Sequence, residues 1–487
     1  MKDRRRKRTV GEGRRQFLML GSAGIAARLW CSPGALQGAT VAAADDSIQL
    51  QAGSGLRTKI SYKSALEGVL TTPGGSRPTV LSVTGNSQFD FEQLHQGGPV
   101  DELEGQRLTR RYLQAKVSTR VGRSHETATE LPPTSSLMHL YGHDGQLVQL
   151  SPAVRLTRAQ LDLLQFPCDP IAVTGLLPGR SLAAATEKWN TDAWVFPQLV
   201  GMDAAISQSV SGQILELSAQ EARIGFECRG SGAVTGSATE VSLQGTLVFD
   251  RGAGLIRRFN AVLKEDRSAG PVSPGLKVSA NISWTQEPTG PNEQLAALMP
   301  VEFPEAGRLL LTFITPWRLV LLHDRRWHVF QESAELVILR MLTNGALTAQ
   351  CNLAAAPRMP AGRFTEEGKF LAEIEEKIGP WKGGIVAAEV ESDRRGWRVH
   401  RVRAEAEVQS AAAGAALGGG AGGDPVTSTA SATGPGKRAT QTIVWQYFLC
   451  TAKSGEQFSL VFSHAAEDTA AFRGVPEQFL DRLSIRG

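Results

Sequence analysis

The sequence predicts an α+β protein: an antiparallel, curved or β-sandwich-like sheet domain followed by an α/β/α sandwich. Three observations predict it. Polar and apolar side chains alternate along many segments before residue 290, which is the period of a half-buried strand. The connections between these segments are too short for parallel crossovers. Later strands are accompanied by two amphipathic helices that can cover a sheet. No stretch of 18 apolar residues occurs, which excludes a polytopic membrane protein.

The N-terminus predicts an export signal. A basic stretch, Lys2 to Arg8, precedes Arg14 and Arg15, and a short apolar run from Phe17 to Ala27 follows. Small residues ending at Ala44 predict cleavage after that residue. The pattern resembles a bacterial twin-arginine signal, which implies a periplasmic or extracellular protein. The alternative is a basic arm for nucleic acid, but such an arm needs neither the apolar run nor the cleavage site.

The charge of the chain belongs mostly to this signal. Residues 1–44 hold nine Lys and Arg against two Asp and Glu, a net charge of +7. The formal charge of +4 for all 487 residues therefore becomes −3 for residues 45–487. An acidic mature chain lacks the electrostatic footprint of a nucleic-acid-binding protein. We therefore predict no nucleic-acid partner and no integral membrane segment in the mature chain.

Beyond the signal the sequence predicts two domains. Residues 45–290 form the β-rich domain, the Pro- and Gly-interrupted segment 291–304 is a linker, and residues 305–487 form the second domain. Within the first domain, we predict a helix after the capping box Thr157–Gln160 and a second short helix limited by Pro197. The predicted strands of the meander are 222–228, 241–250, 255–264 and 277–285.

The segment Lys277–Thr285 shows the strand pattern most clearly. Val278, Ala280, Ile282 and Trp284 alternate with polar residues, so one face is predicted to be buried and the other wet. Leu247 and Phe249 continue the apolar face on the neighbouring strand. This face lines either a packed core or a ligand cavity.

The second domain is predicted to combine strands and helices. Thr442–Cys450 is apolar on both faces, so it must be a central strand. Two helices supply the cover, one capped by Thr365 and one starting near Pro476. Their predicted buried residues are Phe370, Leu371, Ile374, Ile378, Phe479, Leu480 and Leu483. Residues 409–440, rich in Ala, Gly, Ser and Thr, are predicted to be a disordered hairpin insertion.

Two features of the second domain carry a resemblance. The strand Phe458–Ser463, followed by a polar turn and the helix Pro476–Leu483, is similar to the closing strand and helix of Mog1/PsbP-like domains. The opening Pro316-Trp317 agrees with it. The resemblance covers about 305–487 and implies an α/β/α sandwich of a family with docking and accessory roles. The insertion 409–440 departs from the family pattern.

Two broader resemblances concern architecture. The first domain is loosely similar to curved-sheet lipoprotein carriers of the LolA/LppX kind, which implies an apolar cargo. The whole chain resembles exported proteins of planctomycetes that combine two such modules. Neither resemblance assigns a role to an individual residue, because both rest on the arrangement of elements.

Four cysteines lie in the mature chain: Cys168, Cys228, Cys351 and Cys450. Their spacing fits no zinc site, and none belongs to a Cys-x-x-Cys motif. An oxidising compartment permits one disulfide per half of the chain, 168–228 and 351–450. Buried free thiols are the alternative.

Few residues indicate chemistry. Gly418, Gly420 and Gly423 match a dinucleotide fingerprint, but no strand precedes them and no helix follows, so the match is chance. His139 and His143 are four residues apart, but a hairpin turn at Asp144 makes their directions diverge. The sequence therefore predicts no cofactor and no metal.

Two further histidine segments are weak candidates. His323, Asp324 and His328 are flanked by arginines and predict a solvated loop that pairs its own charges. His464 continues the apolar face of its strand and precedes two acidic residues, as at some catalytic sites, although a strand end that meets a helix cap is the simpler interpretation. Arg107, Arg110 and Arg111 are predicted to form another solvated stretch, and the sequence identifies no nucleophile or catalytic residue.

These observations favour an exported, non-enzymatic binding or scaffold protein that docks a protein partner. The first alternative is a periplasmic carrier of lipid or another apolar ligand. That carrier requires a cavity of at least about 300 Å3 lined by the apolar sheet face. The second alternative is a hydrolase or metal enzyme that uses His464 or the pair His139 and His143.

Overall fold

Long antiparallel strands dominate the computed structural model, which describes residues 50, 55–72, 77–98, 102–296, 299–409 and 440–485. The described residues all belong to one compact unit. The predicted signal, including Arg14, Arg15 and Ala44, lies outside the described residues. The predicted insertion 409–440 also lies outside them, except for its end residues Gln409 and Thr440. No described helix is both long enough and apolar enough to cross a membrane.

One open sheet contains the first twelve strands. They are β1 (Arg57–Thr72), β2 (Thr79–Gly97), β3 (Arg107–Val121), β4 (Thr127–Glu130), β5 (Leu137–His143), β6 (Gln146–Leu150), β7 (Lys188–Asn190), β8 (Ala204–Leu217), β9 (Glu221–Val234), β10 (Ser237–Asp250), β11 (Leu255–Arg267) and β12 (Gly275–Pro288). Their order is β6-β5-β3-β2-β1-β12-β11-β10-β9-β8-β7, and β4 pairs with β3. The predicted antiparallel meander is confirmed. The sandwich-like alternative is wrong here, because these strands form one continuous sheet.

Three short helices lie in a cover segment, residues 156–187 and 191–200, over the apolar face of this sheet. They are α1 (Arg158–Leu164), α2 (Pro170–Thr174) and α3 (Val195–Val200). The predicted capping box begins α1: Thr157 accepts from the Gln160 backbone N–H, and the Gln160 side chain accepts from the Thr157 backbone N–H. Pro197 lies inside the first turn of α3 rather than ending a helix, because the first turn needs no intrahelical N–H donor.

The cover segment is anchored to the sheet by aromatic side chains. The Tyr62 hydroxyl donates to the Pro167 carbonyl at 3.0 Å, and the Trp284 indole donates to the Cys168 carbonyl at 3.2 Å. The Phe166 ring stacks on Phe89 with 4.6 Å between centroids. These contacts combine apolar burial with satisfied polar tips, so the cover and the sheet share one core.

A fully buried ion pair also joins the cover to the sheet. Arg110 on β3 donates to both carboxylate oxygens of Asp169, at 2.7 and 2.9 Å, and to Gln93 at 3.0 Å. Asp169 also caps α2 through the Ile171 N–H. The expectation of a solvated arginine stretch is therefore wrong for Arg110, which is 0% exposed. Its charge is tolerated because the bidentate carboxylate replaces lost hydration.

We expect Asp169→Asn to lower the free energy of unfolding by about 3 kcal/mol, because it leaves the Arg110 charge buried and unpaired. Asparagine retains the capping oxygen for α2, so the change isolates the charge. Urea unfolding at pH 7 measures the loss. The control is Asp266→Asn at the exposed pair with Lys277, which we expect to cost less than about 1 kcal/mol. Equal losses in both variants would contradict the assignment.

The second half of the chain contains two further sheets. A three-stranded sheet has the order β13 (Leu310–Ile314), β14 (Leu319–His323), β22 (Leu483–Ile485). A seven-stranded sheet has the order β15 (Trp327–Glu332), β16 (Leu336–Thr343), β17 (Ala346–Ala356), β21 (Gln457–Ala465), β20 (Thr440–Ala452), β19 (Trp397–Gln409), β18 (Gly384–Arg394). The described α-helices of this part are α4 (Glu293–Ala296), α5 (Glu367–Ile378) and α6 (Val475–Asp481).

The predicted central strand is confirmed as β20. One of its faces packs with the stripe Phe370, Ile374 and Ile378 of α5, and the other packs with Phe479 of α6. The prediction that Thr365 caps α5 is wrong, because its side chain makes no capping hydrogen bond to the helix. Glu366 occupies the cap position, and the Thr365 hydroxyl accepts from Gln457.

The predicted linker is packed against the first sheet. The Gln96 side chain accepts from the Met299 N–H at 3.1 Å, and the Tyr141 hydroxyl donates to the Pro300 carbonyl at 3.2 Å. Arginines add further contacts between the two halves of the chain. Arg158 on α1 donates to the Trp327 carbonyl at 3.1 Å, and Arg325 donates to the Gln149 carbonyl.

Candidate functional site

The uncovered face of the twelve-stranded sheet is polar. The wet side predicted for the strand 277–285 belongs to it, and the long neighbouring strands alternate in the same way. The opposite face carries the apolar residues Leu247, Phe249, Val278, Ile282 and Trp284, each less than a tenth exposed. We call the polar face the trough, for the shape described below.

Strand register arranges the trough residues in rows that cross the sheet, because directly paired residues of neighbouring strands share a face. Row A is Lys116, Gln88, Lys63, Ser283, Asn260, Thr246, Gly225, Gln213 and Lys188. Row B is Ser118, Asn86, Ala65, Asn281, Val262, Gln244, Glu227, Ser211 and Asn190. Both rows cross nine strands without interruption.

Two further rows continue the trough. Row C is Arg120, Thr84, Glu67, Ser279, Lys264, Ser242, Arg229 and Ser209. Row D is Ser82, Val69, Lys277, Asp266, Glu240, Ser231 and Ser207. Rows A and B are mostly amide and hydroxyl side chains, whereas rows C and D carry more charges.

The sheet curls around this face. A volume of about 1160 Å3 is lined by residues of rows A and B from all nine strands, including Lys116 near one side of the sheet and Lys188 at the other. A flat sheet could not bring both walls to one cavity, so the polar face is concave. An adjoining volume of about 1350 Å3 is lined mainly by residues of rows B, C and D. The size suits a ligand of several linked units.

The cations of row A differ from the other charges of the trough. Lys63, Lys116 and Lys188 are exposed, and none forms an ion pair with a described residue. In rows B to D, by contrast, Arg229 pairs with Glu227 at 2.6 Å and Lys277 pairs with Asp266 at 2.7 Å. Row A also continues onto β4 at Glu130, directly opposite Lys116, so it presents three lysines and one carboxylate, an excess of positive charge.

The structure places His464 in the core. It lies in β21, is 0% exposed, and donates from Nδ1 to the Ala465 carbonyl at 2.7 Å. Its Nε2 has no partner among the described residues, and the Phe472 ring lies 4.6 Å away. Burial lowers the pKa of His464. A substrate cannot reach this ring without local opening of the structure.

His139 and His143 both lie on β5, where the predicted hairpin turn follows at Asp144. They share a strand face rather than diverging, but four strand residues separate their Cα atoms by about 13 Å. The His143 ring stacks on Phe303 instead, with 4.3 Å between centroids. Within the described residues, no group of three or more His, Cys, Asp or Glu side chains could hold a metal ion.

His323 and His328 lie next to the contact between the two halves of the chain. His323 is 2% exposed, donates from Nδ1 to the Asp324 carbonyl at 2.9 Å, and accepts at Nε2 from Thr312 at 2.8 Å. The prediction of a solvated loop is therefore wrong for His323, although Asp324 and Arg326 form the predicted kind of local ion pair. Burial, with Arg158 and His323 nearby, lowers the pKa of His328 to about 3.

We expect acid to destabilise the protein through His328. Its pKa is lowered to about 3 in the folded state, whereas an unfolded histidine binds its proton below a pKa of about 6.5. The unfolded state thus holds more protons between these values, so the free energy of unfolding falls as the pH drops from 6.5. His328→Gln should remove up to about 2 kcal/mol of the loss between pH 7 and pH 5 in urea unfolding. The exposed His125→Gln should leave that loss unchanged, and an equal effect of both variants would contradict the mechanism.

The described cysteines Cys168, Cys228, Cys351 and Cys450 are all buried free thiols. The pair 351–450 cannot form in this fold. Cys351 pairs with Phe462 of β21, and Cys450 pairs with Phe458 on the other side of β21. The two Cα atoms are therefore two strands apart, which is about 10 Å across the sheet, and they are also offset by four residues along the strands. This separation exceeds the Cα–Cα distance that a disulfide can bridge.

Cys168 and Cys228 are closer neighbours. The Cys228 thiol contributes to the raised pKa of Cys168, after the larger effect of burial. Burial also raises the pKa of Cys228 to about 12. Both groups are therefore protonated thiols at neutral pH, the form that reacts slowly with oxidants and alkylating reagents.

We expect iodoacetamide, without reductant, to modify these four cysteines only after unfolding in guanidinium chloride. Peptide mass mapping of native and unfolded samples measures the modification at each site. Protection in the native state follows from burial and the absence of thiolate. An unmodified pair in the unfolded sample, rescued by prior reduction, would show a disulfide and contradict the structure.

Comparison with known proteins gives weak likenesses only. No protein-family model and no curated protein matches the chain. The chain resembles the solution structure of cyanobacterial PsbP from Synechocystis sp. PCC 6803, at 10% identity and a TM-score of 0.25, over 37% of this chain and 93% of that one. It also resembles a structure described for lipid–protein interactions in lipovitellin, at 12% identity and a TM-score of 0.29, over 54% of this chain and 29% of that one.

A third similar structure is DynF, from the dynemicin biosynthesis pathway of Micromonospora chersina. The identity is 7% and the TM-score 0.14, over 51% of this chain and 92% of that one. TM-scores this low carry no argument about function.

Proposed function

We propose that the protein is an exported, non-enzymatic binding protein that holds a polar ligand in the trough. The observation that carries this proposal is the cavity lined by nine strands, whose hydroxyl, amide and ammonium groups converge on one concave face. Binding sites are concave and place a few polar groups for orientation. The signal pattern around Arg14 and Arg15, with cleavage after Ala44, supports export.

The geometry favours this function over transport of an apolar cargo. The apolar sheet face that a lipid carrier needs is occupied by the cover segment, and Phe249 and Trp284 are at most 2% exposed. The cavities of about 1160 and 1350 Å3 lie on the opposite, polar face instead. An acyl chain in the trough would bury amides and lysines without partners, which is unfavourable.

The geometry also gives little support to a histidine-based enzyme. His464 is enclosed in the core, and His139 is only 8% exposed. A general acid or base must reach the proton that it transfers. The non-enzymatic character is therefore part of the proposal.

A second candidate function is docking of a protein partner by residues 305–487, which we propose to be an α/β/α sandwich of the Mog1/PsbP type. The positions of α5 and α6 on opposite faces of the seven-stranded sheet support that architecture. The edge strand β18, which has no buried residue, favours docking. An unpaired edge can accept a strand from another chain.

We expect tryptophans in the trough to abolish ligand binding. Asn260 and Gln244 lie in rows A and B on adjacent strands and are exposed, so Asn260→Trp with Gln244→Trp fills the cavity without disturbing the core. Isothermal titration calorimetry with a panel of polar hexamers (maltohexaose, hexagalacturonate and hexaglutamate) measures binding. At least one hexamer should bind the native chain and lose affinity at least about tenfold in the double variant.

The matched control places two tryptophans on another exposed strand, Val386→Trp with Ala388→Trp on β18, and should leave the titrations unchanged. Phosphatidylcholine vesicles should not bind. Recovered hexamers should be uncleaved after incubation, as expected for a protein without catalysis. If the trough variant changed no titration, the proposed function would be wrong.

A further inference from the structure

Five amide side chains of rows A and B are free to bind a ligand. Asn86, Gln213, Gln244, Asn260 and Asn281 form no side-chain hydrogen bond with a described residue. Each amide offers an acceptor oxygen and a donor nitrogen side by side. Neighbouring hydroxyl groups of a sugar ring are donors and acceptors at similar spacing, so this surface matches a polyhydroxylated ligand.

Three lysines add a charge requirement. Lys63 and Lys116 flank Gln88 in row A, which separates their Cα atoms by about 10 Å. Lys188 faces them from the other wall of the cavity. Glu227 of row B pairs with Arg229, and Glu130 of β4, opposite Lys116, offsets at most one of the three lysines. Electrostatic complementarity therefore requires negative charges on the ligand.

The lining disfavours other anionic chains. No aromatic side chain occurs in rows A to D, so nucleobases would find no stacking platform. The apolar side chains of rows A and B are Ala65 and Val262, with Leu215 lying over Gly225. An extended peptide gains its affinity mainly from a free strand edge, whereas the backbone groups of the central trough strands are already paired within the sheet.

We propose that the trough binds an acidic oligosaccharide, with the amide and hydroxyl side chains on the sugar hydroxyls and Lys63, Lys116 and Lys188 on its carboxylates or sulfates. This inference rests on the proposed function and names the ligand class. The lysines are exposed and flexible, so they supply attraction and steering. The amides on the rigid sheet supply orientation.

The test compares hexagalacturonate with neutral maltohexaose and with hexaglutamate by isothermal titration calorimetry. The variant Lys63→Gln, Lys116→Gln, Lys188→Gln removes the three charges and keeps polar side chains. The matched control, Lys369→Gln, Lys377→Gln, Lys453→Gln, removes three exposed charges from the second half of the chain. Circular dichroism and thermal unfolding verify that both variants fold.

We expect hexagalacturonate to bind the native protein at least about tenfold more tightly than maltohexaose at low salt. The trough variant should lose about tenfold or more, and the control should change less than about twofold. Raising the NaCl concentration should weaken binding to the native protein more than to the trough variant, because salt screens the lysines.

Other outcomes overturn the inference and separate it from the proposed function. Equal binding of maltohexaose, unaffected by the lysine variant, would indicate a neutral ligand and leave the trough a binding site. Hexaglutamate binding as tightly as hexagalacturonate would indicate an acidic peptide. If hexagalacturonate bound the triple lysine variant as tightly as the native protein, its binding site would lie away from these lysines. If Asn260→Trp with Gln244→Trp affected no probe, the proposed function would fail as well.

Discussion

The strand register across the middle of the large sheet is the constraint on which the rest of the structure depends. From β3 through β7, rows A and B of paired residues cross nine strands on one face. A shift of one residue in any strand would move its polar side chains into the core and its apolar side chains into water. The separation of the packed apolar face from the solvent-exposed polar face therefore depends on the register of every strand.

The packed face determines where the cover segment lies. Phe166 and the carbonyls of Pro167 and Cys168 dock on aromatic residues of β1, β2 and β12. The pair of Arg110 with Asp169 adds a bidentate contact in the same region. A buried pair of this kind adds little net stability over an apolar replacement, because desolvation of both ions offsets their attraction. It positions the cover over the sheet and leaves the other face open.

The second half of the chain shows why a motif in the sequence need not be a site. His464 precedes acidic residues, but its strand is interior to the sheet, so the ring packs on Phe472. Both ring nitrogens of His323 are likewise occupied by local hydrogen bonds, one with Thr312 and one with the Asp324 carbonyl. Both rings are neutral parts of the core. The polar groups free to meet a ligand belong instead to ordinary strand residues of the trough.

The sequence by itself determined the elements that depend on local pattern. The alternation around Ile282, the capping box at Thr157 and the two-sided apolar strand ending at Cys450 each predicted their element correctly, because strand period, capping and burial are read from neighbouring residues. The predictions that Thr365 caps a helix and that Pro197 limits one are wrong, because a shift of one position at a helix end changes the role of the residue there.

Only the tertiary structure decided the trough, the buried role of Arg110 and the separation of Cys351 from Cys450. Lys116, Lys63 and Lys188 come from three distant segments, and no local pattern distinguishes them from other exposed lysines. They meet because strand pairing sets the register and sheet curvature brings the two walls together. Those two quantities arise from long-range pairing and packing, so they are absent from any short stretch of the sequence.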